Sequence, residues 1–181
     1  MVQYLVGNFA SARIGFEKLL SNSSISSDKS DILVNLCLIC IAEKKLEEAK
    51  LHASNAVKLE PNHWEALINL ADVLITMDKH NVGEAIHLYD QADNACPANA
   101  AIKIRMSKAR LLNNERDLAL AAAREAVDVE GGNSSSEAMD YLIGLLTVLD
   151  CKHEAALLKA AQTESEDSSL RKRFLAYAAN S

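Results

Sequence analysis

The chain has 181 residues, 49% hydrophobic but only 4% aromatic, with 2 prolines and 6 glycines. So much aliphatic surface excludes wholesale disorder, and so few helix breakers favour many close-packed helices over one aromatic-centred core. The formal net charge of −6 and the lack of a basic stripe exclude the usual way of neutralising nucleic-acid phosphates.

Along the chain, Met1–Ala10 lacks the basic lead and long apolar stretch of a secretory signal. No apolar run approaches the ~18 residues that a membrane span needs. Four cysteines in a chain of this size do not make a disulfide framework, so a reducing, cytoplasmic setting is expected. Asn22-Ser23-Ser24 and Asn133-Ser134-Ser135 are then incidental matches to the glycosylation pattern. Arg171-Lys172-Arg173 follows the acidic run Glu164-Ser165-Glu166-Asp167 and reads as a solvated helix start.

The chain repeats itself. Ala49, Ala56 and Pro61 recur at the same spacing as Ala85, Ala92 and Pro97, and again as Ala119, Ala126 and Gly131. Leu33, Asn35 and Leu36 recur 34 residues later as Leu67, Asn69 and Leu70. Anchoring alanines at Ala12, Ala49, Ala85, Ala119 and Ala156 lie 37, 36, 34 and 37 residues apart, a 34-residue unit with insertions of up to three. These residues resemble the tetratricopeptide repeat, W-x2-L-G-x2-Y followed by A-x3-F and then P. Cys37 stands for its glycine, Cys40 for its tyrosine and Ala53 for its aromatic, while Tyr89 and Phe16 keep that aromatic place.

The resemblance implies an all-α fold, a right-handed superhelical solenoid of antiparallel helix pairs. About four repeats are expected, near 30–63, 64–99, 100–133 and 134–168, in a single array over 1–181 with flanking half-repeats. In chain order the expected helices run Gln3–Leu20, then 30–43 with 46–59, 63–77 with 82–95, 99–112 with 115–129, and 135–149 with 152–163. A last helix is expected at 169–179. Small residues at the helix contacts let backbones approach, and a proline after the second helix stops it because it cannot donate the next hydrogen bond. Ser21-Asn22-Ser23-Ser24 onward and Gly131-Gly132-Asn133-Ser134 read as loops. Gly7-Asn8-Phe9 at one end and Phe174, Tyr177 and Ala178 at the other fit interrupted repeats, so the chain is expected to be a piece of a longer solenoid.

The candidate chemistry is thin. Cys37-Leu38-Ile39-Cys40 is a CxxC, the spacing of a metal or redox pair, but His52 is the one obvious further ligand and both cysteines occupy positions that the repeat buries. His52, His63, His80, His87 and His153 form no HExxH. Glu47 and Glu48 are adjacent on a helix and point to different faces. No catalytic residue, metal ligand or cofactor is expected.

The resemblance further implies that the first helix of each pair lines a concave groove. Spacing assigns to it Val34, Asn35, Leu38 and Ile41, then Ile68, Asn69, Asp72 and Ile75, then Ile104, Arg105, Lys108 and Leu111. A weaker fourth unit adds Tyr141, Leu142, Leu145 and Val148. One well-known use of the fold grips a chaperone's C-terminal carboxylate with Lys, Asn, Asn, Lys and Arg. Matching three units from Ser30, Asn69 and Arg105 satisfy two of those five places. Val34, Leu38 and Ala101 hold the others and cannot donate to a carboxylate. The expected partner is therefore a protein or peptide segment, an amphipathic helix or an extended strand, with Asn35 and Asn69 bonding its backbone. Neither nucleic acid nor direct membrane insertion is expected. The expected role is a scaffold within a subunit of a multi-protein complex. The alternatives are a repeat domain that positions a substrate or client for an enzyme or co-chaperone, and a metal or redox module at Cys37 and Cys40.

Overall fold

The computed structural model describes residues 9–131 and 137–163. Every regular element among them is a helix: α1 (Phe9–Asn22), α2 (Ser26–Ala42), α3 (Leu46–Leu59), α4 (Trp64–Met77), a 3-10 turn (Lys79–Asn81), α5 (Val82–Ala95), α6 (Ala100–Leu112), α7 (Arg116–Val129), α8 (Glu137–Val148) and α9 (Lys152–Thr163). The chain divides into two compact units, Met1–Pro97 and Ala98–Ser181. In the first, α2 pairs with α3 and α4 with α5, α1 lies against α2, and α2 lies beside α4. In the second, α6 pairs with α7 and α8 with α9.

Alanine sets the pairing distance. Ala49, Ala53 and Ala56 on α3, Ala85 and Ala92 on α5, and Ala119, Ala123 and Ala126 on α7 are fully buried. A methyl group there lets the helices approach until the larger side chains opposite fill the remaining space. In the first unit Cys37, Cys40, Val73 and Leu74 close around Ala49 and Ala53. Leu33, Leu36 and Ala66 close around Ala56, with Phe16 and Leu20 of α1 packed alongside. In the second unit Met139, Leu142, Leu146 and Leu158 close around Ala123, Ala126 and Ala155.

The fifth anchoring alanine is Ala155, not the expected Ala156: Ala155 is buried and Ala156 exposed. The turn before it gives the reason. Lys44, Asn114 and Asp150 all have positive φ, between 61° and 63°. Each sits five residues before the anchoring alanine of its unit, Ala49, Ala119 and Ala155. At each, two backbone bonds close a Schellman turn: Lys44 N–H to Ile41 O with Lys45 N–H to Cys40 O, Asn114 N–H to Leu111 O with Glu115 N–H to Arg110 O, and Asp150 N–H to Thr147 O with Cys151 N–H to Leu146 O. The next helix then starts in the same register each time. The α4–α5 connection has one more residue, and there Asp78 accepts from His80 N–H at 2.9 Å to start the 3-10 turn.

Other boundaries follow local chemistry. Helix α2 begins at Ser26, four residues earlier than expected, with Asp28 in its first turn favourable to the helix dipole. Ser30, buried farther along, donates to Ala56 O at 3.4 Å. Helix α1 runs on to Asn22, two residues past the expected Leu20, and its expected beginning at Gln3 lies outside the described residues. Pro61, Pro97 and Gly131, whose φ is +68°, follow the ends of α3, α5 and α7 as expected. The expected helix at 169–179 and its Phe174, Tyr177 and Ala178 lie outside the described residues.

Charge holds α1 in place. Arg13 donates from Nε to Glu17 at 3.0 Å, from Nη1 to Glu43 at 3.3 Å and from Nη2 to Glu48. The bond from Arg13 holds the Glu48 carboxyl below the usual range. Lys45, and then Arg13, do the same for Glu43.

Two outcomes test this account. Lys44→Gly should raise stability by about 0.5–1 kcal/mol in urea melts, because glycine carries no side-chain penalty at positive φ, and Asn114→Gly and Asp150→Gly should gain less, since both side chains tolerate that region. Arg13→Met should lower the urea midpoint at pH 7. Glu43 and Glu48 titrate lower folded than unfolded, so their contribution is present above the unfolded value near ~4.3 and is lost as pH falls through the folded one. The gap between Arg13→Met and the parent should therefore close on acidification, and also in high salt.

Candidate protein-interaction site

The twelve residues assigned to the groove separate into core and surface. Val34, Ile68 and Ile104 are only 4%, 7% and 4% exposed, and Asn69 is 8% exposed. Their surface is spent on the packing of their own unit. Ile41 and Leu111 rest partly buried against the cores. On the first unit this leaves Asn35, Leu38, Asp72 and Ile75 half-buried, on helices that lie side by side. Asn35 donates to Asp31 O at 2.8 Å, and Asp72 accepts from Tyr89 Oη.

On the second unit Arg105 donates to Ala101 O at 3.3 Å along its own helix. Exposed Lys108 places Nζ 5.3 Å from the centre of the Tyr141 ring, a cation–π contact. Tyr141 Oη lies 2.9 Å from Ser107 Oγ, and Ser107 donates to Ala119 O at 2.6 Å. Burial raises the Tyr141 phenol above its ordinary value. Of the other fourth-repeat residues, Leu142 and Leu145 are buried, and Val148 is 75% exposed.

The fold also assembles a group that the sequence reading did not single out. His63 Nε2 lies 2.8 Å from Asp31 Oδ1, and one ligand atom each of Asp31, His63 and Glu65 falls within a 4.8 Å span. Asp31 and Glu65 are 34 residues apart, one repeat, so they hold the same place on successive first helices. That period was the available signal. His63 caps α4: its Nδ1 accepts from Ala66 N–H at 3.4 Å. A ring that accepts at Nδ1 carries its proton on Nε2, where it donates to Asp31. No lone pair then faces the carboxylates, and the trio fits a metal poorly.

The CxxC is a packing feature. Cys37 and Cys40 are fully buried free thiols. Burial pushes the Cys37 thiol up to about 12 and raises Cys40 as well. Thiolate, the form that attacks or ligates, is scarce at neutral pH in such surroundings. Half-buried His52 is pushed down by burial and stays neutral.

Helix pairs with alanine contacts and a recurrent left-handed turn define a helical-repeat fold of the tetratricopeptide type. Solved structures share the architecture. MamA 41-end from Desulfovibrio magneticus RS-1 superposes with TM-score 0.73 at 18% identity over 92% of each chain. TTC0263, a thermophilic TPR protein of Thermus thermophilus, does so at 0.68 and 19% over 96% of this chain and 92% of its own. A crystal structure of MamA gives 0.72 and 17% over 91% and 92%. At such identities the likeness shows the fold. No family model and no curated protein matches the chain in sequence. Among the described residues, no helix is long and apolar enough to cross a membrane.

A thiol reagent such as DTNB should label half-buried Cys96 and Cys151 in the native protein and reach Cys37 and Cys40 only on unfolding. Rapid native labelling at Cys37 would reinstate the redox reading.

Proposed function

We propose that this chain is a protein-interaction scaffold that serves a multi-protein complex and carries no catalysis of its own. The supporting observation is the pair Leu38 and Ile75. Both are aliphatic and half-buried, on first helices that lie side by side. A partner that covers them removes apolar surface from water at little cost in ordering, since the helices beneath are already packed. Asn35 spends its amide N–H on Asp31 O, which leaves its side-chain oxygen to accept from a guest backbone N–H. Asn69, being buried, belongs to the scaffold. The partner is a peptide segment of a cytoplasmic protein, helical or extended. The chaperone-tail clamp draws no support from Ser30 and Asn69, both of which are buried.

The test is a double variant, Leu38→Asp with Ile75→Asp, compared with the parent in affinity capture from lysate. Helix content by circular dichroism should be unchanged, and affinity for groove partners should fall about tenfold or more. Ile68→Asp places a charge at a buried position and should unfold the first unit, so it is the wrong probe of binding. Partners retained by the folded double variant would move recognition to another face.

A further inference from the structure

We infer that the partner of the α2–α4 face presents a basic side chain, arginine or lysine, to Asp31 and Glu65, with an aliphatic residue over Leu38 and Ile75. This rests on the binding face proposed above and adds the chemistry of its occupant.

The argument starts from the repeat. Positions 34 residues apart come side by side on stacked first helices, so Asp31 and Glu65 put like charges next to each other. At three other places the chain pairs carboxylates with its own cations: Arg13 meets Glu43 and Glu48, Lys103 meets Glu125 at 3.0 Å, and Arg124 meets Glu154 at 2.8 Å. At this pair it does not. Asp31 takes one hydrogen bond, from His63, whose other ring nitrogen is committed to capping α4. Glu65 has no ion pair among the described residues. Helices α2 and α4 together carry four acids, Asp28, Asp31, Glu65 and Asp72, against one base, Lys29.

Two neighbouring carboxylates match the fork of a guanidinium, which can donate to both at once. A guest ending in a carboxylate would be repelled at the same place. Leu38 lies seven residues beyond Asp31 on α2, about 10 Å along the helix. The guest's basic and aliphatic residues must therefore be spaced by about that distance, roughly two turns of a helix or three residues of an extended strand. A metal ion is the competing occupant, and the tautomer of His63 argues against it.

The probes are two helix-forming peptides, one with a leucine face flanked by arginines and one with glutamates in place of the arginines. Binding to the full chain is read by fluorescence anisotropy at two salt concentrations. The arginine peptide should bind and the glutamate peptide should not. Asp31→Asn with Glu65→Gln should weaken the arginine peptide about tenfold and flatten its salt dependence. A control, Glu47→Gln with Asp128→Asn, removes the same charge at exposed positions on other helices and should change little. If the control weakens binding as much, net charge alone attracts the peptide and the inference falls. Loss of binding with Leu38→Asp/Ile75→Asp but not with Asp31→Asn/Glu65→Gln keeps the face and overturns its cation. Loss with neither overturns both. Zinc alone raising the melting temperature of the parent, but not of Asp31→Asn/Glu65→Gln, would reassign the pair to a metal.

Discussion

The close approach of paired helices at alanine is the constraint on which the rest depends. Where Ala49, Ala53 and Ala56 lie against α2, no side chain beyond a methyl group fits between the backbones. That distance decides which neighbours must be large. Leu36 is completely buried in the space beside Ala56. It also decides what remains outside. With Val34 and Ile68 packed inward, Leu38 and Ile75 are left half-buried on the same helices.

Much of the fold was legible in the sequence because the repeat states each constraint several times. Helices α3 and α5 start and stop where their spacing places them, α4, α6 and α7 each start one residue later, and α2 starts four residues earlier. The misplacement at Ala156 arose where neighbouring alanines make the spacing ambiguous. Ala155 and Ala156 are both small, and only the left-handed residue at Asp150 tells them apart. A positive φ at lysine or aspartate leaves no mark that glycine would have left. The early start of α2 was hidden for a related reason: serines favour turns on average, and here burial of Ser30 and its bond to Ala56 O outweigh that preference.

The candidate face was less legible. A helix face assigned from spacing is a sector wide enough to include both the flank that packs on the neighbouring helix and the flank that meets water. Val34 and Leu38 differ by one turn and read alike, yet one is core and the other edge. The carboxylate pair shows the opposite case. Asp31 and Glu65 look unremarkable one at a time. They become a feature only when the 34-residue period is applied to charged positions as it was to alanines and leucines.

The turns at Lys44, Asn114 and Asp150 bear on how the chain folds. Each joins two helices that meet across three or four residues, so most contacts within a pair close short loops. Loop closure is then cheap, and folding belongs with the fast, low-contact-order helical class, on the microsecond to millisecond scale. A left-handed lysine or aspartate at the centre of such a turn is a local hurdle on an otherwise short search. That cost falls on α2–α3 and α8–α9, whereas α4–α5 turns through a 3-10 segment and has no left-handed residue at that place.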